Sequence, residues 1–375
     1  MLPIHPQPRE DEIFSSWLLR IAISNGFYLH EFIKRQLKVN GEVMTRDVDK
    51  APFPSLVRQL AVQSGHLEDD IRAMHLSAFT GELSESVNVK GKSPWVLPLG
   101  LYHRTRKRAY CVYCPICLRN DPVKYFRKKW RLAFVGLCDI HHCMLRDTCW
   151  HCQTNIDYLR LGIGVRDFVL PQQEIDVCYH CHRALSQAEP EYLPQNTLIL
   201  ALPYIDFLVR FSNYGNVLPT LGQPLNLQVF NGLRALVMAL MSRRGYGVRK
   251  RIFDETGIDM LNWKENTDFE HMSLHHRLHL MIVVVHLIQD WLKRFLKLVA
   301  DTQLSLSAFS DIATKLPYWL HTLVSSSLSK KEYQLNSEEI LNARTYLISQ
   351  NMIPTKIAIA KLLKVNVELI SRLLP

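Results

Sequence analysis

At 375 residues the chain exceeds what one ordinary hydrophobic core supports, and two or three domains are expected. An apolar fraction near the average, with no apolar run of transmembrane length, excludes a helical membrane protein. A net charge of +10 favours an anionic partner, nucleic acid before membrane.

The chain opens on a Pro-rich lead (Pro3, Pro6, Pro8) without the pattern of a signal peptide, which predicts an intracellular protein. Asp11 and Glu12 precede a stretch in which Phe14, Trp17, Leu18 and Ile21 fall at helical spacing, and acids suit a helix's first turn. Asn25-Gly26 is a stop signal. Two further helices, Leu56 to Gln63 and Leu67 to Leu76, flank Ser64-Gly65-His66 in helix-turn-helix spacing. That pattern serves packing more often than it reads DNA.

From residue 101 the composition changes. Arg104, Arg106, Lys107 and Arg108 form a basic run leading into the cysteines, all nine of which lie between Cys111 and Cys181. The pairs Cys114/Cys117, Cys138/His141, Cys149/Cys152 and Cys178/Cys181 each enclose two residues. Such a knuckle aims two ligands at one ion, and two knuckles complete the closed tetrahedron that Zn²⁺ prefers. An intracellular address favours metal over disulfides, so two zinc ions per chain are expected. Pairing in chain order puts Cys114, Cys117, Cys138 and His141 on one ion and Cys149, Cys152, Cys178 and Cys181 on the other. Spacing alone leaves open an interleaved pairing, first knuckle with third and second with fourth. Cys111 could substitute in the first knuckle, and Cys143 reads as a small buried side chain.

Between the first two knuckles, Tyr125 to Val135 interleaves aromatic and basic residues. It is expected to supply strands of a zinc ribbon, with Arg127, Lys128, Lys129 and Arg131 facing out. Those four would contact nucleic acid or an acidic partner, or simply form a solvated face. After Cys181, Pro190, Pro194, Pro203, Pro219 and Pro224 predict a connector and short helices. Arg243, Arg244, Arg249, Lys250 and Arg251, set around Gly245 and Gly247, predict a flexible basic loop able to touch a nucleic-acid backbone. It lacks the preceding strand and Lys-Ser/Thr pair of a phosphate-binding loop. A long helix through Leu274 to Leu298 follows, with His271, His275, His276, His279 and His286 along it or just before it. No zincin-type Glu accompanies them, so they read as ordinary helix-face histidines. The chain ends on a helix-turn-helix pattern over 354–374, with Ala360, Val365, Ile370 and Leu373 inward. Its second helix is barely two turns, too short to hold firmly in a groove. Together these readings make a mainly α protein with small zinc-ribbon β elements. A helical N-terminal region (1–100) and a double zinc-binding region (101–185) precede a helical C-terminal region (186–375) that ends in the helix-turn-helix.

The order of Asp11-Glu12, Ser16-Trp17-Leu18-Leu19-Arg20-Ile21-Ala22, Cys114-Pro115-x-Cys117-Leu118, Trp130-Arg131-Leu132, Cys138-x-x-His141, Leu145 and Cys149/Cys152 resembles the TniQ family. Its members are target-selection adaptors of bacterial transposons, in which Gly usually follows the knuckle His; here His142 stands there. The resemblance implies a non-enzymatic, cytoplasmic bridge. Long members bind a fixed attachment site through extended C-terminal DNA-binding regions. Short members of CRISPR-associated transposons dock as dimers on a guide-RNA effector such as Cascade and help recruit the AAA+ regulator and, through it, the transposase. Length and ending place this chain with the short members. The implied partners are therefore a CRISPR effector with its guide RNA, the AAA+ regulator, a second copy and, weakly, non-specific nucleic acid, with no membrane. Two rival classes stand beside this reading. One is a stand-alone sequence-specific DNA binder. The other is an HNH-like nuclease built on Cys138-x-x-His141-His142, which lacks a further His or Asn to hold a catalytic metal.

Overall fold

The computed structural model describes all residues except 40–45, 100, 103–104, 107–109, 164–173, 214–216, 219–220, 262–267, 303–306, 311–315, 329–336, 364, 366, 368–369 and 371–375. The predicted first helix forms as α1 (Phe14–Ser24), with Phe14, Trp17, Leu18 and Ile21 buried. The acids ahead of it do a different job from the one their position suggested. Glu12 turns inward and accepts from Arg20 Nη1 at 2.5 Å and Ser16 Oγ at 2.7 Å. Burial raises its pKa, and Arg20 opposes the rise. The helix-turn-helix pattern appears as α2 (Pro54–Ser64) and α3 (Glu68–Ala73), joined through Gly65 at φ +75°, a left-handed conformation that favours glycine. The second helix is only six residues long, ending at Ala73, short of the expected Leu76.

No strand forms over 125–135. Lys128–Arg131 is instead a 3₁₀ turn driven into the core, with Trp130 and Arg131 buried. The backbone at 126–128 pairs with that before α1: Ile13 N donates to Phe126 O (3.0 Å) and Lys128 N to Asp11 O (2.7 Å). Among the described residues, β structure is limited to two two-residue hairpins and isolated bridges. The first hairpin pairs Leu101–Tyr102 with Thr105–Arg106, and the second pairs Val217–Leu218 with Gln223–Pro224. The fold is mainly α, as expected, with a smaller β content than a ribbon would bring.

The helical half is built from α4 (Pro115–Asn120), α5 (Gln195–Ser212), α6 (Leu227–Met241), α7 (Tyr246–Thr256), α8 (Leu274–Gln289) and α9 (Trp291–Thr302). Pro203 lies inside α5, so it does not separate two short helices there. The predicted long helix is two, broken at Asp290, whose φ of −127° and ψ of 60° leave the helical region. The α8 helix is the core of this half and lies along α5. It also grips the segment that leads into the second knuckle. Arg277, buried, donates to Ala133 O (3.0 Å), and Tyr204 OH receives Gly136 N (2.9 Å). Phe134 meets Trp95, Phe207, Phe211 and Phe230 with centroids 5.1–5.9 Å apart. In α6, Gly232 admits the ring of Trp319; a Cβ there would lie 2.0 Å from its Cζ2.

Contacts divide the chain into Met1–Ser327 and Leu328–Pro375. In the second unit, α10 (Ser337–Ser349) and α11 (Lys356–Leu363) bury Ile340, Ala343, Leu347, Ile359, Ala360 and Ile370 together. Most of the predicted last helix, including Leu373, lies outside the described residues.

Candidate metal centre

Three of the four knuckles share one backbone solution. In each, the first Cys receives the amide of the residue after the second ligand: His142 N to Cys138 O (2.8 Å), Gln153 N to Cys149 O (3.0 Å) and His182 N to Cys178 O (2.9 Å). The first Cys amide in turn donates to the carbonyl one residue further on, of Cys143, Thr154 or Arg183, each at 2.9 Å. Closing so tight a loop forces the intervening residue to positive φ, +53° at His142, +57° at Gln153 and +58° at His182. The remaining knuckle is different: Cys114 is the N-cap of α4, its Sγ accepting from Cys117 N at 3.4 Å, with Pro115 in the first turn.

The knuckles meet in chain order, and the interleaved pairing does not occur. The ligand atoms of Cys114, Cys117, Cys138 and His141 all lie within 4.8 Å of one another, as do those of Cys149, Cys152, Cys178 and Cys181. In the first cluster His141 presents Nδ1, at 3.3 Å from Cys117 Sγ and 3.6 Å from Cys114 and Cys138 Sγ. His142 is exposed and not part of it. Sulfur pairs stand 3.7 Å apart for Cys117–Cys138 and Cys149–Cys181 and 3.6 Å for Cys152–Cys178. Metal–sulfur bonds of about 2.3 Å arranged tetrahedrally give edges of about 3.8 Å, so both donor sets fit a small tetrahedral ion. The hydrogen bond with Cys114 pushes the Cys138 thiol up to about 11, and burial pushes that of Cys178 up to about 12. Buried thiolates at this spacing need a cation. Cys143 is buried with Sγ 3.5 Å from Cys114 Sγ, outside the four-atom group, and Cys111 donates to Val112 O at 3.2 Å.

Around the first cluster Arg127 and Arg131 are buried against acids, which corrects their expected outward orientation, while Lys128 and Lys129 are half-buried. Arg131 is buried, Nη1 donating to Asp49 Oδ2 (2.6 Å) and Nη2 to Asp47 Oδ2 (2.6 Å) and Leu97 O (3.1 Å). Asp49 also accepts from Ser15 N and Oγ, and Ser15 Oγ meets Tyr158 OH at 2.7 Å. Arg127 is buried between Asp11 and Asp121 and stacks near Trp130. Lys129 pairs with Asp139, inside the second knuckle, at 2.7 Å. Lys128 donates to Ala73 O (2.8 Å). Sequence reasoning missed Ser15, Asp47, Asp49 and Tyr158; the one signal for them was an Arg between Trp and Leu, a place that demands counter-charges.

Elsewhere, the predicted basic loop is a 3₁₀ turn (Arg243–Gly245) continuing into α7. Arg249 faces inward, donating to Leu240 O and Ser242 O, while Arg243, Arg244, Lys250 and Arg251 remain on the surface. Arg104, Lys107 and Arg108 lie outside the described residues, as does the side chain of Arg106. His275 and His279 pack ring to ring at 4.0 Å, and among the described residues no third ligand joins them. None of the described helices is long and apolar enough to cross a membrane.

The scaffold is mainly helical and carries two closed Cys/His clusters, each compatible with a metal ion. The comparisons place it more narrowly. Residues 3–145 match the TniQ family model, which links this segment to transposition target selection. The matched segment contains α1, the Arg131 cluster and the whole first Cys/His site; the second site lies beyond it. No curated protein matches the chain.

Proposed function

We propose that the chain is a non-enzymatic, cytoplasmic adaptor that selects targets for RNA-guided DNA transposition, built around two structural zinc ions. The observation that carries the reading is the TniQ match over 3–145, which ends as the first Cys/His site closes. Cys114, Cys117, Cys138 and His141 would hold one zinc, and Cys149, Cys152, Cys178 and Cys181 the other. A bound zinc supplies folding free energy, on the order of 10 kcal/mol in small modules. All four positions of each site are protein donors, which leaves none for a reacting water. Asp49 ties Ser15 at the start of α1 to Arg131, so a partner would meet a preformed surface there.

In this reading a dimer of the chain docks on a CRISPR effector with its guide RNA and helps recruit the AAA+ regulator. The test is a pull-down and a filter-binding series over several duplexes, with and without effector. Free protein should bind DNA weakly, with little sequence preference and a steep loss of affinity as salt rises. Stable attachment should require effector. Tight, salt-tolerant binding of one duplex by the protein alone would establish the site-reading alternative. Metal-dependent nicking abolished by His142→Ala would establish a nuclease.

A further inference from the structure

The helical half of the first unit holds a cleft of about 240 Å³ between α5, α7, α8 and α9. Its floor is aliphatic: Leu200, Ile252, Ile258, Ile282, Val283 and Leu287. Its rim is cationic. Arg251, Arg294 and Lys297 line it against a single acid, Glu255, whose Oε1 accepts from Arg251 Nε at 2.7 Å. With that pair neutral, Arg294 and Lys297 give the rim its net charge. Arg294 is held in place by donating from Nη1 to His286 O at 2.7 Å. Lys297 is exposed, with no ion-pair partner among the described residues. The His286 ring also lines the cleft, and its Nδ1 is buried with no hydrogen-bond partner among the described residues.

We propose that this cleft docks an acidic segment of a partner protein, inserting an aliphatic or aromatic anchor side chain over the floor. Three features select that occupant. The volume falls below the roughly 300–1,000 Å³ of whole small-molecule sites, yet accommodates one or two apolar side chains. An apolar floor under a cationic rim matches an anchor residue flanked by carboxylates. Nucleic acid fits less well, because among the described residues no Phe, Tyr or Trp ring lines the cleft for a base to stack on. The cleft lies outside residues 3–145, so the docking surface is separate from the matched segment.

The experiment is selection of a random 12-residue phage-displayed peptide library on the full-length, metal-replete protein, followed by polarisation titration of the enriched peptides. Enriched sequences should place Leu, Ile, Phe or Trp among Asp and Glu. Lys297→Glu, on the surface, and Leu200→Glu, at the half-buried edge of the floor, should each weaken them by about tenfold or more. Both variants should keep the parent's melting temperature and metal content. A single-stranded 12-mer oligonucleotide should not displace the peptide. Failure to enrich any peptide would overturn the proposal. So would basic or anchor-free winners, unchanged affinity in both variants, or displacement by the oligonucleotide at peptide-like concentrations. No effector is present in this assay, so a negative result removes the cleft and leaves the adaptor reading standing. Failure of the effector pull-down would do the reverse.

Discussion

Arg131→Met separates a buried counter-ion from a nucleic-acid contact. The guanidinium lies between Asp47 and Asp49 and donates to both, with Leu97 O as a further acceptor. Methionine fills much of the volume but leaves two buried carboxylates without their cation, a loss of about 3–5 kcal/mol when one partner of a buried pair is removed. The orphaned Leu97 carbonyl adds about 1 kcal/mol. Protonation limits the damage. Burial already lifts the Asp49 carboxyl to about 6 against the pull of Arg131, and without the guanidinium it rises further. The destabilisation should therefore be largest at pH 7–8 and shrink towards pH 5, as Asp49 takes up a proton. Adding Asp49→Asn to Arg131→Met should recover part of the loss, giving a coupling energy that neither single variant shows. The assay is urea unfolding in zinc-replete buffer, followed by the fluorescence of buried Trp17, Trp95 and Trp130. An Arg131→Met protein that unfolds at the parent's urea concentration, yet binds DNA more weakly and with a shallower salt slope, would refute the reasoning.

Metal analysis of purified protein should give about two zinc ions per chain, with Cys114→Ser and Cys178→Ser each removing about one; a parent value near one would exclude the two-site assignment. His142→Gly, Gln153→Gly and His182→Gly should be neutral or raise stability by up to about 1 kcal/mol, whereas Val at these positive-φ positions should cost about 1–2 kcal/mol. Equal melting temperatures for Gly and Val variants would contradict the knuckle geometry. His75 is buried against Phe14, and burial lowers its pKa to about 4. The folded state then resists a proton that the unfolded chain accepts near 6.5, so stability is full above that pH and is lost as pH falls towards 4, by at most about 3 kcal/mol. His75→Phe should flatten the stability profile in that window, and an unchanged acid slope would show that other groups carry it. Gly232→Leu should displace Trp319 and lower the melting temperature, since its Cβ would meet the ring at 2.0 Å.

The elements that were legible in advance are the local ones. The α1 face, the Gly65 turn and the helical core around α8 follow from spacing, because periodicity records which face a helix buries. The knuckles follow from their two-residue gaps. Misread segments share a cause. Tyr125 to Val135 has strand-like composition, but its backbone partners are the residues before α1 and the loop at 95–97, which no local pattern reveals. Arg127, Arg131 and Arg249 count as surface charge in any composition. Their burial depends on acids and carbonyls distant in sequence or hidden in the turn of a helix.

By itself the sequence determined the four two-residue-gap knuckles and the resemblance of residues 3–145 to the TniQ family, because ligand chemistry and knuckle spacing are properties of a few adjacent residues. Only the tertiary structure decided that the knuckles pair in chain order, that His141 and not His142 joins the first site, and which cations face inward. Those outcomes depend on distances between segments up to 144 residues apart, as Ala133 and Arg277 are, and chain spacing does not encode distance in space.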